Sequence, residues 1–352
     1  MYPLANLAVV ILNYNGKNYL EKFLPSVCEY SPEATIVVAD NASTDDSVAF
    51  LAAQYPHIRC LVLPRNEGFS RGYNLALAQI KADYYVLLNS DVEVTAGWLT
   101  PMLALFARCS RLAACQPKIK SYFQKTHFEY AGAGGGFIDY LGYPFCRGRI
   151  FSELEADEGQ YNDEGQIFWA SGACLMVKAS AYHEIGGLAE DFFAHMEEID
   201  FCWRLQRAGY LVAYTGYSEV FHVGGGTLSR SNPRKTYLNF RNNLAMLSRN
   251  LPFFPLLKTL VLRLGLDMLA ALYFSVLGKG QDGRAVLKAY GAFYKRFWFW
   301  RKQSQPALGY LPGGYAWPRS LVFQHFLKKK KKFRELPQPP VFEDLPAPAL
   351  KL

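Results

Sequence analysis

Four short apolar runs, at residues 7–12, 35–39, 59–63 and 84–88, alternate with segments of helical pattern in the N-terminal part of the chain. Runs of this length, rich in Val, Ile and Leu, read as buried strands. Helical segments between them argue for βαβ units, hence a mostly parallel sheet in an α/β protein. Parallel strands point the same way, so their carboxyl ends share one edge. Three of the runs stop there in polar clusters: Asn13-Tyr14-Asn15-Gly16, then Asp40-Asn41-Ala42-Ser43-Thr44-Asp45, then Asn89-Ser90-Asp91-Val92-Glu93. In open α/β sheets ligands bind outside the carboxyl ends of the strands. Carboxylates such as Asp91 and Glu93 at that edge suit a hard cation such as Mg²⁺, shared with substrate phosphates. Taken alone, the third cluster also fits a strand end followed by an acidic turn. Repetition of polar strand ends favours the ligand site.

The formal charge of +8 is unevenly placed. Residues 1–250 hold 21 Lys and Arg against 25 Asp and Glu; residues 251–352 hold 17 against 5. The excess therefore belongs to the C-terminal part and says nothing about the upstream edge. A basic tail meets nucleic acid or an anionic membrane surface. No nucleic-acid-binding motif accompanies it, whereas apolar stretches do, which favours the membrane. Residues 251–277 are strongly apolar but carry Lys258, Arg263 and Asp267. Central charges disfavour a spanning helix, and a helix lying in the interface fits better. Residues 293–300 form a second amphipathic candidate. The lysine run at 328–332 suits anionic lipid, or is a solvated tail; residues 336–348 are Pro-rich and expected to be extended or disordered. Seven cysteines, an odd number without CxxC spacing, read as free thiols of a reducing compartment. The 7–12 run is too short for a secretory signal and lacks a basic flank. The expectation is a cytoplasmic protein, peripheral at the inner face of the cell membrane.

Between these regions, the glycines at 131–149 read as a loop, and 168–178 is strand-like. Residues 197–208 form a helix candidate ending at Gly209, residues 210–214 a short strand, and Phe221-His222-Val223-Gly224-Gly225-Gly226 follows.

Taken in order, several of these strings resemble the family 2 glycosyltransferases of GT-A fold, in particular the rhamnosyltransferase-like branch. They are Val10-Ile11-Leu12-Asn13-Tyr14-Asn15, Val38-Ala39-Asp40-Asn41-Ala42-Ser43-Thr44-Asp45, Asn66-Glu67-Gly68-Phe69-Ser70 with Asn74, and Leu87-Leu88-Asn89-Ser90-Asp91. Gly187, the segment 192–200, and Arg207-Ala208-Gly209-Tyr210 complete the set. The likeness covers roughly residues 5–230. It implies a Rossmann-like GT-A domain over 1–230; the apolar and basic composition beyond it reads as a helical, membrane-associated extension over 231–305 and a basic, Pro-rich, partly disordered tail over 306–352. It also implies an inverting transfer from a nucleotide-sugar donor, with dTDP-rhamnose first and UDP-sugars next, to a glycan or lipid-linked glycan acceptor.

By the same resemblance Asn89-Ser90-Asp91 stands where the family has its DxD motif. Asp91 is then a ligand of Mg²⁺ or Mn²⁺, with His222 completing the coordination. Asn89 departs from the acidic first position. Asp40 matches the aspartate that recognises the base, and Asn13, Asn15, Asn41, Asn66, Gly68, Asn74 and Ser90 join it in binding the donor. Turn chemistry is the competing role for Asn41. The tetrad Glu197-Glu198-Ile199-Asp200 matches Glu-Asp-x-Asp, which makes Glu198 the catalytic base although the family has Asp there. Helical spacing puts Glu197 and Asp200 on one face and Glu198 about 100° round. Glu197 and Asp200 therefore serve the acceptor side or the helix N-terminus. Arg241 contacts diphosphate or packs; Trp169, Ser171 and Gly172 line the acceptor side by analogy. Two rivals remain at this stage. A sugar nucleotidylyltransferase would need a Gly-rich, Arg-containing loop after its first strand, where this chain has Asn13-Tyr14-Asn15-Gly16. A non-catalytic nucleotide-sugar-binding or membrane scaffold is kept open by the departures at Asn89 and Glu198.

Overall fold

A computed structural model describes residues 6–224, 232–305 and 316–337. The first half alternates strand and helix: β1 (Leu7–Asn13), α1 (Lys17–Tyr30), β2 (Ala34–Asp40), α2 (Ser47–Gln54), β3 (Arg59–Val62), α3 (Gly68–Leu77) and β4 (Tyr84–Asn89). Then come β5 (Val92–Val94), α4 (Leu99–Arg108), β6 (Leu112–Ser121) and a run of short strands: β7 (Gly136–Ile138), β8 (Pro144–Cys146), β9 (Arg149–Ile150), β10 (Glu153–Leu154) and β11 (Glu164–Gln166). The catalytic part closes with β12 (Cys174–Lys178), α5 (Ala179–Glu184), α6 (Glu197–Arg207) and β13 (Leu211–His222). Helices α7 (Pro233–Asn250), α8 (Phe253–Val276), α9 (Gly280–Lys295) and α10 (Phe297–Lys302) follow.

Among the described residues one nine-stranded sheet runs β11-β13-β6-β12-β4-β1-β2-β3, with β5 paired to β13. Strands β1 to β4 are parallel, and Asn13 stands in register with Asp40. Strand β12 enters antiparallel between β4 and β6, while β13 is parallel to β6. Residues of β1 alternate between the two faces. Ala8 and Val10 join the core under α3 and α6; Val9 and Ile11 join the core under α1 and α4. A mixed α/β architecture with a helical C-terminal region is thus observed as expected.

Three local expectations change. The glycine-rich stretch is not an open loop: β7 to β10 form a second, four-stranded sheet whose Phe137, Ile138, Phe145 and Ile150 are buried. Gly136 lies flat against the Trp169 indole, where a Cβ would collide with the ring. The short strand expected at 210–214 continues to His222 through an irregularity between Thr215 and Glu219. Only Cys174–Lys178 of the 168–178 run is strand. Part of the C-terminal tail is also built in. Trp317 and Phe333 pack on Phe145, and Asp139 accepts the Leu321 N–H at 2.9 Å. The rest of the Pro-rich segment lies outside the described residues.

Helix α8 has two faces. Inward, Arg263 and Asp267 form a buried i,i+4 pair at 3.0 Å, and Asp267 also accepts the Tyr143 and Tyr290 hydroxyls. Outward, Phe254, Leu257, Val261, Leu269, Leu272 and Val276 are exposed. Two of the three charges that argued against an apolar helix therefore point into the protein.

Candidate active site

The polar strand ends meet as predicted, and most of them hold one another. Asn13 Nδ2 donates to Asp40 Oδ2 at 3.0 Å and to Ser43 Oγ at 3.2 Å; Asp40 Oδ1 accepts the Ser43 N–H at 2.8 Å. Asn15, at φ 51°, accepts the Thr44 N–H at 2.7 Å. Asn41 Oδ1 accepts the Glu67 N–H, and its amide donates to Asn66 Oδ1 and to the Gly68 carbonyl. Asn66 Oδ1 also accepts the Gly68 N–H at 2.9 Å. These are turn bonds of the kind Asn and Asp favour. They lock the β1–α1, β2–α2 and β3–α3 loops into one edge. Asp40 is fully buried with both oxygens engaged, so here it closes the 40–45 turn rather than facing outward. Asn13 Oδ1 is the exception, being buried without a hydrogen-bond partner. It lies over Gly16, which also approaches Ser90, so Asn13 and Ser90 share one wall.

Asp91 and His222 come together through strand pairing. His222 stands opposite Val92, and the Val223 N–H donates to the Asp91 carbonyl at 3.0 Å. His222 Nε2 lies 3.2 Å from Asp91 Oδ1 and 3.4 Å from Asn89 Nδ2. On its other side Nδ1 lies 3.1 Å from Glu129 Oε2. Burial opposes charge on the imidazole, but the Asp91 and Glu129 carboxylates outweigh it and raise its pKa to about 10. Burial likewise works against the Asp91 carboxylate, yet the facing imidazolium holds it below the ordinary range. Glu129 carried no sequence signal: it precedes the glycine run and matches no motif. Glu93 pairs with Lys125 at 2.8 Å, away from this cluster. Gly225 and Gly226, which follow in the sequence, lie outside the described residues.

Among the described residues no group of three or more His, Cys, Asp and Glu is arranged to hold a metal ion. The fit rests on a two-donor set, one carboxylate and one imidazole on neighbouring strand ends. Once Nε2 gives up its proton, such a pair suits a cation that takes its remaining ligands from phosphate oxygens. Glu129 on Nδ1 is the outer partner that metal-bound histidines commonly have.

Glu198 opens α6. It is half-buried, its Oε2 has no hydrogen-bond partner, and its Cβ lies near Gly172, beside the Phe69 ring. Burial raises its pKa to about 7, against backbone N–H groups at the helix start that favour the charge. Glu197 is buried with an unpartnered Oε2; burial and the adjacent Glu198 push its carboxyl well above the usual range.

The remaining sequence candidates are elsewhere. Asp200 is fully buried and accepts from Arg204 at 2.8 Å, Arg249 at 3.1 Å and Asn250 at 2.8 Å. Burial opposes its charge, but the two guanidiniums win and lower its pKa. It joins α6 to α7 and does not face an acceptor. Asn74 binds the Leu188 backbone and the Tyr182 hydroxyl. Trp169 is buried with Nε1 on the Phe137 carbonyl, and Ser171 Oγ donates to the Ala131 carbonyl. Arg241 donates through Nη2 to the Asp191 and Phe192 carbonyls. Of Trp169, Ser171 and Gly172, it is Gly172 that lies beside Glu198.

Residues 8–186 match Glycosyl transferase family 2. The chain belongs to this family. This family 2 enzyme is 29% identical over 232 residues to the N-acetylglucosaminyl-diphospho-decaprenol L-rhamnosyltransferase of Mycobacterium tuberculosis, covering 61% of this chain and 75% of that protein. It is 23% identical over 244 residues to a low-salt glycan biosynthesis hexosyltransferase of Haloferax volcanii, covering 68% and 74%. The mycobacterial likeness supports the rhamnosyltransferase-like branch. In fold it is similar to GalNAc-T7, solved with UDP, GalNAc and Mn²⁺, at TM-score 0.55 and 15% identity; the match covers 71% of this chain and 49% of that longer one. It is also similar to the mannosyltransferase PcManGT of Pyrobaculum calidifontis, solved with GDP-Man and Mn²⁺, at TM-score 0.50 and 13% identity, covering 93% and 88%. The fold of this family 2 glycosyltransferase is therefore GT-A.

Proposed function

We propose that this glycosyltransferase moves rhamnose from dTDP-rhamnose, or else the sugar of a UDP-sugar, to a hydroxyl of a lipid-linked glycan at the inner face of the cell membrane. The observation that carries the reading is Glu198: a half-buried carboxylate with one unpartnered oxygen and a pKa raised to about 7, beside Gly172 and Phe69. An acceptor hydroxyl is a weak nucleophile, and a base titrating near the working pH is the efficient choice. Glu198 takes the hydroxyl proton as the oxygen forms its bond to the anomeric carbon. The bond from that carbon to the diphosphate breaks, its electron pair leaves on the diphosphate, and a single in-line displacement inverts the centre. Asn13 Oδ1 is the acceptor left open for a donor group of the nucleotide, with Ser90 and Asn89 along the same wall. Asn15, Asp40, Asn41, Asn66 and Gly68 hold the loops that form it. Asp91 and His222 would hold Mg²⁺ or Mn²⁺, with Glu129 orienting the imidazole. Bound there, the cation supplies Lewis-acid stabilisation of the departing diphosphate.

The acceptor class rests on the likeness to the mycobacterial rhamnosyltransferase and on α8. Its outward Phe254, Leu257, Val261, Leu269, Leu272 and Val276 form an apolar face, which the exposed Phe326 adjoins through Tyr273, and Trp298 and Leu327 are exposed as well. At roughly 150–250 Å² per large side chain this amounts to on the order of 1,000 Å², above the patches that monomers normally expose. The lysines at 328–332 give that region a charge complementary to anionic lipid.

A thermal-shift screen of nucleoside diphosphates and nucleotide-sugars, with and without Mn²⁺, tests the reading. A donor at about 100 times its Kd adds roughly 2.7 kcal/mol. We expect dTDP and dTDP-rhamnose to raise the melting temperature most, and more with Mn²⁺. A flat response throughout would overturn it.

A further inference from the structure

The segment that leads into α6 is strained. Phe193, His195 and Met196 have φ of 65°, 71° and 71°. Non-glycine residues seldom adopt this left-handed region, and three within four residues persist only where their surroundings impose it. The Phe193 carbonyl accepts the Phe69 N–H at 2.7 Å, which ties one side of the segment to α3. The other side is held from the C-terminal extension. Asn242 of α7 is fully buried, and its Nδ2 lies 3.0 Å from the Phe192 carbonyl oxygen, 2.9 Å from that of Ala194 and 2.8 Å from that of His195. Its Oδ1 accepts from Arg241 Nε at 2.8 Å and Nη2 at 2.6 Å. Arginine only donates, so this contact fixes which end of the amide faces the turn. One side chain thus bonds three successive stretches of a backbone that would otherwise relax. Met196 then supplies the carbonyl that accepts the Asp200 N–H at 2.9 Å, which starts α6. Glu198 is two residues on. A rotation of the turn rotates the first turn of α6 and moves the Glu198 carboxylate with it.

We propose that Asn242 is a positioning residue for the reaction: its amide holds the left-handed 193–196 turn that aims Glu198, a reading that rests on Glu198 as the base. The extension then bears on catalysis as well as on location. Asn243, the next residue, donates to the Gly142 carbonyl at 2.8 Å and bonds Arg263 of α8, so the same stretch of α7 also seats the apolar helix.

The test compares Asn242→Ala, Asn242→Ala with Met196→Gly, and Glu198→Gln in the full chain. The substrates are dTDP-rhamnose and decaprenyl-diphospho-N-acetylglucosamine. Glycine takes positive φ without steric penalty, so Met196→Gly relieves the strain that the clamp has to hold. We expect Asn242→Ala to lower kcat at least about tenfold, with KM for the donor and affinity for dTDP within about twofold, and Met196→Gly to restore most of kcat. A role in folding alone would lower the melting temperature but show neither the split nor the rescue. Wild-type kcat in Asn242→Ala, or failure of the rescue, would overturn the proposal. An active Glu198→Gln would instead overturn the reading of the base. Amide hydrogen exchange over 193–199 reads the clamp without substrate: it should quicken in Asn242→Ala while β1 and β4 stay protected, and unchanged exchange counts against the clamp. If Asn242→Ala does not fold, Asn242→Asp keeps the shape while turning donors into acceptors, and the same outcomes decide.

Discussion

Glu198 and Asp200 sit two residues apart on one helix, and the proposed mechanism assigns them opposite duties that one paired experiment separates. Glu198→Gln keeps the shape and removes the proton acceptor. Loss of a general base lowers turnover by roughly 10²–10⁴-fold, or about 3–5 kcal/mol of barrier at 1.36 kcal/mol per tenfold. In the proposed mechanism this group acts on the acceptor hydroxyl, so donor affinity should hold. The melting temperature should hold or rise, because Glu198 adds to the pressure on the buried Glu197 carboxyl. Asp200→Asn acts elsewhere. It strands the Arg204 and Arg249 guanidiniums, both buried, with only carbonyl and amide partners such as Ile185 at 2.8 Å and Gly187 at 2.7 Å. Breaking a buried pair by removing one partner costs about 3–5 kcal/mol. At roughly 2–4 °C per kcal/mol for a mid-sized domain, and less for a longer chain, that is a fall of about 5–15 °C. Turnover by the folded fraction should change far less. The pH profile adds a second discriminator. Glu198 is raised to about 7; below that it carries a proton and accepts none, so kcat/KM should fall on the acid side near pH 7, and Glu198→Gln should lose that limb. Asp200 is lowered, so its contribution to stability is present at neutral pH and disappears only as pH falls through its depressed pKa. Steady-state kinetics and thermal melts on the two variants suffice. If Asp200→Asn kept its melting temperature and lost the turnover while Glu198→Gln stayed active, the assignment of roles would be wrong.

Glu129→Gln should weaken Mn²⁺ binding roughly 10–100-fold, the usual effect of losing an outer partner of a ligating histidine; calorimetry with Mn²⁺ alone measures it, and unaltered affinity would remove Glu129 from the cation site. Replacing Val261 and Leu272 together by Glu should abolish binding to phosphatidylglycerol vesicles with the melting temperature unchanged, since both side chains are exposed. A double variant that still sediments with vesicles would refute the apolar face of α8 as the docking surface.

The first four strands were legible because their residues obey a simple rule: short apolar runs separated by helical patterns, three of them closed by a polar cluster. The second sheet was not legible, because its glycines serve close packing rather than flexibility. Gly136 lies against Trp169, and Gly148 at φ 88° lies against Phe128. Nothing local in Ala131-Gly132-Ala133-Gly134-Gly135-Gly136 announces an indole 33 positions further along the chain. The long β13 was hidden for a related reason. Gly216 and an irregularity interrupt the apolar pattern, and Tyr161 and Asp163 backbone closes over Gly216 where any Cβ would collide.

At the site the sequence told which polar groups gather at the sheet edge, but not which of them remain available to a ligand. Asn15, Asn41 and Asn66 have the right type and position, and the structure shows their amides engaged with neighbouring loops. Asn13 differs only in that its Oδ1 is left over. Availability depends on partners from distant segments, so it appears only once the chain is folded. The same logic inverts the reading of α8. Arg263 and Asp267 looked like charges that spoil an apolar helix, yet their i,i+4 spacing lets them pair and turn inward to Tyr143, Tyr290 and Asn243. The pair therefore seats α8 on the protein and leaves Lys258 as the helix's one exposed charge. Arg241-Asn242-Asn243 supports the same conclusion from the other end. A single turn of α7 contacts the 192–196 segment that leads into α6 and, through Arg263, the helix with the apolar face. On the proposed roles, surface docking and positioning of the base converge on three consecutive residues, an arrangement that a freely tethered anchor would not require.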